Sequence, residues 1–181
     1  MLKNLYLCTI KTIKFKMKKL FVLSFALMVA SIALGQVKNE QNGKNMTENL
    51  NEVAAFLKEC RVFFIATAEG NQPRVRPFGV AEIVNGKLYL TTGRKKDVYK
   101  QVEANGRFEI CALKPDYSGW IRISGRLVDD DNAEIRQTIL DRNKSLGHMY
   151  SANDGNFVTP YIADGEARFF SFQGEEKRVK F

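Results

Sequence analysis

The dipeptide Asn85-Gly86 limits what this chain can become more than any other pair in it. Both central residues of a type I′ turn need positive φ, which Asn and Gly accept at least cost, and the turn's twist suits two antiparallel strands. Residues 73–84 ahead of it and 87–92 behind it read as extended, with Leu88 and Leu90 on one face. The pattern recurs along the chain. Residues 62–68 are apolar and β-rich and end in the turn Glu69-Gly70-Asn71-Gln72. Residues 107–114 alternate Phe108, Ile110 and Ala112 against Glu109 and Cys111. Residues 120–128 alternate Ile121, Ile123 and Leu127 against Arg122, Ser124 and Arg126, with Gly125 marking a bulge or sharp bend. Two final strands are expected over 160–172 and 177–181.

Helical signals fill the longer connections. Asn49 followed by Glu52 makes a capping-box-like start, and Leu50, Val53, Ala54 and Leu57 recur at helical spacing toward Cys60. A second helix is expected over 95–104, stopped by Asn105-Gly106, and a third over 132–143. Asp129-Asp130-Asp131 reads as a charge run at the start of that third helix, favoured by the helix dipole over a metal site. The loop 144–158 carries no strong pattern. Short turns between successive strands favour antiparallel pairing and closure, so the expected fold is mainly β: a small barrel of six to seven strands with helices packed outside. The expected domain spans 49–181, without internal repeats.

The formal net charge is +8, which by itself suggests nucleic acid or an anionic membrane. Its distribution argues otherwise. Residues 1–35 hold six lysines and no acid; without them 22 basic residues face 20 acidic ones. That segment reads as a secretory signal. Lys18-Lys19 precede an apolar run over 20–34, and Ala33-Leu34-Gly35 supplies small residues for cleavage before Gln36. Met17 opens this unit and is a candidate true start; an uncleaved anchor is the alternative reading. Residues 36–48 are polar and turn-rich and read as a flexible linker. Of three cysteines, Cys8 falls in the leader. Cys60 and Cys111 are expected as buried free thiols, with a pairing between them left open. His148 is the only histidine, so neither a zinc cluster nor a histidine-based triad is indicated.

Two cationic clusters flank the hairpin. In Gln72-Pro73-Arg74-Val75-Arg76-Pro77-Phe78-Gly79, Arg74 and Arg76 fall on the same side of a strand. Pro77 places that strand at an edge or at a ligand. In Thr91-Thr92-Gly93-Arg94-Lys95-Lys96-Asp97, hydroxyls, a glycine and three cations meet a helix N-terminus, whose free N–H groups and dipole suit a phosphate. Each cluster alone also reads as a solvated basic surface. The hairpin brings the two side by side, which favours an anion site.

In this order, the segments resemble the pyridoxamine 5′-phosphate oxidase-like FMN-binding split-barrel family. The resemblance runs over about 49–181 and rests on Phe63-Phe64-Ile65-Ala66-Thr67, Pro73 to Gly79, Leu88-Tyr89-Leu90-Thr91-Thr92, the Lys95-Lys96 helix start and Trp120-Ile121-Arg122-Ile123-Ser124-Gly125. It implies an antiparallel split barrel, FMN as cofactor and a homodimer with the flavin at its interface. Residue by residue, it implies that Arg74, Arg76, Pro77, Phe78 and Gly79 line the ring and phosphate and that Thr91 and Thr92 contact the flavin edge or phosphate. It further implies that Lys95 and Lys96 hold the phosphate, that Gln101 reaches the ring, and that Trp120 and Arg122 come from the partner subunit. The helix start is displaced from the oxidase's own arginine-lysine pair, which leaves the choice among Arg94, Lys95 and Lys96 open.

The true oxidase's substrate-phosphate residues and its C-terminal arginine-and-histidine segment have no counterpart in this chain, which ends Glu175-Glu176-Lys177-Arg178-Val179-Lys180-Phe181. Vitamin B6 oxidation is therefore not implied, and the haem-degrading branch lacks its second histidine. The expectation is an exported, periplasmic, FMN-dependent oxidoreductase passing electrons from a small reduced donor to a small acceptor such as a quinone or nitroaromatic. Two rival readings stand beside it: a flavin-binding storage or sensing module, and a binder of another phosphorylated ligand. Tyr117 and Tyr150 are noted as loop tyrosines near the open face of such a site.

Overall fold

A computed structural model describes residues 43–181. The leader and most of the linker lie outside the described residues; Met46–Phe181 cluster as one compact unit. Residues 43–60 form helix α1, so 43–48, assigned above to the linker, are helical. Asn49 accordingly sits inside the helix and caps nothing at its start. Its side-chain amide instead donates to the Lys180 carbonyl, at 2.9 Å, tying α1 to the last strand.

The strands follow in order: β1 (Phe63–Glu69), β2 (Gln72–Phe78), β3 (Ala81–Val84), β4 (Lys87–Leu90), β5 (Thr92–Gly93), β6 (Arg107–Leu113), β7 (Trp120–Val128), β8 (Phe157–Val158), β9 (Tyr161–Ser171) and β10 (Gly174–Lys180). Helix α2 (Asp97–Asn105) and helix α3 (Ala133–Arg142) fill the two longer connections, and a 3₁₀ turn, Lys144–His148, follows α3. The β3–β4 turn has φ of 48° at Asn85 and 74° at Gly86, the signs a type I′ turn demands. Gly106 closes α2 in the left-handed region at φ 69°.

All ladders are antiparallel. The main sheet runs β2-β1-β6-β7-β9-β4-β3, and β10 pairs with β9. One edge of β9 meets β7 along most of its length; the other is shared between β4 at Tyr161 and β10 from Glu166 onward. The end strands β2 and β3 exchange no ladder bonds but are joined by only Gly79 and Val80. The sheet therefore curls until its ends nearly meet, and this is the split of the barrel. The sequence reading took 73–84 as one extended run. The chain instead breaks at 79–80 because the two halves serve opposite ends of the sheet. A similar break at Thr91 releases Thr92–Gly93 from β4 to pair with β8. The strand count thus exceeds the expected six to seven only through short pieces; the antiparallel split barrel is the fold.

The inward rows of β1, β4, β6 and β7 build the core. Ile65, Leu88, Leu90, Ile110, Ile121 and Ile123 are fully buried, against Val53 and Leu57 of α1. Each such side chain stabilises the fold by about 1.5–3 kcal/mol relative to exposure. A second cluster joins Ile135 and Ile139 of α3 to Tyr89, Leu146 and Phe157. Register shifts between Ser124 and Arg126, so Gly125 does form a bulge. Cys60 and Cys111 are both free, but only Cys60 is buried; Cys111 lies opposite Phe64 on the outer face. The alternation in β6 had already placed Cys111 with the outward residues.

Candidate functional site

A cavity of about 440 Å³ opens at the split. The end of β2 and the two-residue link supply Arg76, Pro77, Phe78, Gly79 and Val80; the β4–β5 break supplies Thr91 and Thr92. Lys96 and Val98 enter from the start of α2, and Leu146, Met149 and Tyr150 close the far side. The hairpin thus does what the sequence suggested: it carries the two cationic segments to one place.

Arg76 is the best-anchored cation there. Register puts Ile65 opposite Arg76 and Thr67 opposite Arg74, so both arginines share the inward side of β2. The Arg76 guanidinium donates to Thr67 Oγ1 at 2.6 Å, to Gln101 Oε1 at 2.7 Å and to the Arg74 carbonyl at 3.0 Å. Thr67 in turn donates its hydroxyl to Gln101 Oε1 at 2.6 Å. Thr67 and Gln101 are 5% and 6% exposed, so this is a buried network closed by a neutral acceptor. No carboxylate joins it. Burial first, and the neighbouring Arg74 charge second, pull the Arg76 pKa below its ordinary value. An anion in the cavity would relieve both.

Among the remaining cations, Lys96 lines the cavity, with Nζ 5.9 Å from the centre of the Tyr150 ring. Lys95 is exposed and outside it; its backbone N–H donates to Asn156 Oδ1. Arg94 is committed elsewhere, donating to the Tyr99 hydroxyl at 2.7 Å and pairing with Asp129 and Asp131 at 3.5 and 3.6 Å. The aspartate run is likewise consumed: Tyr99 bonds Asp129, Tyr89 bonds Asp130, and Arg136 pairs with Asp131. Among the described residues no group of three or more His, Cys, Asp or Glu is placed to hold a metal ion.

The start of α2 is open. No side chain caps it, whereas Asn132 Oδ1 accepts from the Glu134 and Ile135 N–H groups at the start of α3. Uncapped N–H groups and the dipole at α2 favour an anion beside Lys96.

Several expected site residues lie elsewhere. Arg74 is exposed and paired with Glu69 at 2.8 Å. Gln101 is buried and not among the residues that line the cavity; its oxygen accepts from Arg76 and Thr67, so it positions the arginine. Trp120 and Arg122 sit on the outer face of β7. There Trp120 stacks on Phe170, with ring centres 5.1 Å apart, and Arg122 pairs with Glu109. The sequence reading missed Thr67, Val80, Val98, Leu146 and Met149. Thr67 is the fifth residue of a strand whose other inward members are apolar, a period-2 signal that could have marked it.

The comparisons with known proteins agree with this architecture. The pyridoxamine 5′-phosphate oxidase family model matches residues 50–167. No curated protein matches. Among solved structures, a NimC/NimA family protein from Clostridium acetobutylicum is 37% identical with a TM-score of 0.74, covering 78% of this chain and 98% of that one. General Stress Protein 26 from Bacillus anthracis shares the fold at 14% identity and TM-score 0.59, covering 73% of this chain and 98% of that one. A general stress protein 26-related protein of the pyridoxinephosphate oxidase family, also from Clostridium acetobutylicum, does so at 11% identity and TM-score 0.56, over 75% and 94% of the two chains. By the span of the family model and the NimC/NimA relative together, the chain belongs to the pyridoxamine 5′-phosphate oxidase family.

Proposed function

We propose that the chain is a flavin-dependent oxidoreductase that holds FMN at the split of its barrel and passes electrons from a small reduced donor to a small acceptor. The observation that carries this reading is the cavity itself. It sets a half-buried Arg76, hydrogen-bonded to neutral groups and paired with no carboxylate, and the uncapped start of α2 with Lys96 around a pocket otherwise walled by Phe78, Val80, Val98, Leu146, Met149 and Tyr150. A flat apolar ring with a phosphate tail matches that division, and the cavity volume lies within the usual range for such ligands.

Arg76 and Lys96 would hold the phosphate, with the Thr91 and Thr92 hydroxyls beside it. The free edge of β2 from Arg76 to Gly79 would bond the ring's polar edge, while Val80, Val98 and Tyr150 exclude water from its faces. When bound, the flavin supplies the electron transfer itself; the protein binds, orients and tunes. On this reading no side chain need supply a proton, which suits acceptors that need only electrons and solvent protons, such as quinones and nitroaromatics. Vitamin B6 oxidation is not part of the proposal, because the oxidase's substrate-phosphate segment has no counterpart.

The outer sheet face supports a homodimer. Phe64, Val75 and Leu113 stand 51%, 64% and 43% exposed on adjacent strands, beside Trp120 and Phe170. A contiguous apolar face of this kind marks an interaction site. A second copy seated there would bury it and would account for the Trp120 and Arg122 contacts that the single chain does not bring to the cavity.

Titration of FMN fluorescence tests the site. Arg76→Ala and Lys96→Ala are each expected to weaken binding at least about tenfold, the loss of a charge-assisted contact. Lys95→Ala should leave it within a factor of about two, as for an exposed charge. Equal effects of Lys95→Ala and Lys96→Ala would move the phosphate away from the cavity. NAD(P)H oxidation in the presence of a quinone separates turnover from mere flavin storage.

A further inference from the structure

The cationic end of the cavity at the split is shaped by a residue that does not line it. The short β5–β8 ladder stops at the Gly93–Phe157 pair, and Asn156 continues the contact from there. Its carbonyl oxygen accepts from the Arg94 N–H at 2.7 Å, and its side-chain Oδ1 accepts from the Lys95 N–H at 3.1 Å. The next backbone donor, the Lys96 N–H, goes to the Gly93 carbonyl at 3.0 Å. Three consecutive N–H groups are thus spent ahead of α2, two of them on Asn156. The helix begins directly afterwards, uncapped by any side chain, with Lys96 and Val98 on the cavity wall.

Asn156 is itself held from the other side. Asp154 Oδ1 accepts from the Asn156 and Phe157 N–H groups at 2.7 and 2.6 Å, and Asp154 Oδ2 accepts from the Ser151 N–H at 3.0 Å. Tyr150, a cavity residue, stacks on Phe157 with ring centres 4.8 Å apart. The two walls touch at buried Gly93. A Cβ there would stand 3.2 Å from Asn156 Oδ1 and 3.4 Å from the Tyr150 hydroxyl. The Lys95 end of the amide bond is exposed, so water can take the place of Oδ1 if the side chain is removed. The bond therefore matters less to whether the chain folds than to the path that residues 94–96 follow into α2.

We propose that Asn156 is a positioning residue for the anion end of this cavity. By holding the Arg94 and Lys95 N–H groups it fixes the chain's entry into α2, and so presents Lys96 and the open helix start to the phosphate of the flavin. The inference rests on the flavin reading above and adds to it the residue that makes the site prefer a phosphorylated flavin over the same ring without its phosphate.

Fluorescence titration of the purified protein with FMN and with riboflavin, which has the ring but no phosphate, tests it. The wild type should favour FMN. Asn156→Ala should weaken FMN at least about tenfold and leave riboflavin within a factor of about two, because only the charge-assisted phosphate contact is misplaced. Gly93→Ala, which crowds the amide without removing it, should cause a smaller loss of the same selective kind. In a Lys96→Ala background, Asn156→Ala should cost less than it does in the wild type, since both changes act on one contact. Parallel losses of FMN and riboflavin, an undiminished effect in the Lys96→Ala background, or FMN affinity indifferent to Asn156→Ala would each overturn the proposal while flavin binding by the wild type stands. A wild type that binds the two flavins equally would also overturn it, and one that binds neither would overturn the flavin reading as well.

Discussion

Gln101 shows how much one buried acceptor can decide. Its oxygen takes hydrogen bonds from both Arg76 and Thr67, at a site without a carboxylate. Replacing it with Leu leaves the buried Thr67 hydroxyl and one N–H of the half-buried Arg76 without their acceptor, a penalty of about 1–3 kcal/mol. Urea unfolding of Gln101→Leu should show that loss, and FMN affinity should fall as Arg76 loses its orientation. Gln101→Glu should instead retain stability but weaken FMN, because a carboxylate would compete with the phosphate for Arg76. Arg74 and Arg76 were legible as a same-side pair from spacing two alone. Which of them faces the cavity was not, because that depends on Glu69 folding back onto Arg74 across the β1–β2 turn. That Lys96 lines the cavity while Arg94 does not was hidden for the same reason: Arg94 is claimed by aspartates about 35 residues away, a contact no local pattern announces.

At the scale of elements, the hairpin and the bulge were legible because Gly and Asn mark backbone conformations directly. A Cβ at Gly125 would meet the Ala163 carbonyl oxygen at 2.8 Å and the Asp164 carbonyl oxygen at 3.2 Å. Gly125→Ala should therefore cost about 1–3 kcal/mol, read as a fall in the urea midpoint. The acidic turn is a clip joining three elements, which its composition could not reveal. Tyr89 of β4 and Tyr99 of α2 each bond one of its aspartates. Burial chiefly, then those bonds, pushes both phenol pKa values well above the ordinary 10. The folded state thus keeps phenolic protons that the unfolded chain releases above about pH 10, so stability is full below that pH and falls as pH rises beyond it. Tyr89→Phe with Tyr99→Phe should flatten that alkaline loss of stability; an unchanged slope would show that the clip does not couple to folding.

For the whole molecule, the decisive feature is a sheet whose two end strands are consecutive in sequence yet unpaired, so that the split and the cationic hairpin coincide. Fold class was readable from alternation and turns, since each strand carries its own pattern. The breaks at 79–80 and at Thr91 were not, because they answer to pairing partners remote in sequence. An exposed apolar row on β1, β2 and β6 predicts self-association: sedimentation should give a dimer, and Phe64→Glu with Leu113→Glu should give a folded monomer. Export, expected from the leader, is tested by mass spectrometry of the mature protein, which should then begin at Gln36. The central claim rests on the cavity at the split, and the visible spectrum of purified protein incubated with FMN and then desalted addresses it most directly. Retained flavin absorption in the wild type, lost in Arg76→Ala with Lys96→Ala, is the predicted result. A colourless wild-type protein, or flavin retained equally by the double variant, would contradict it.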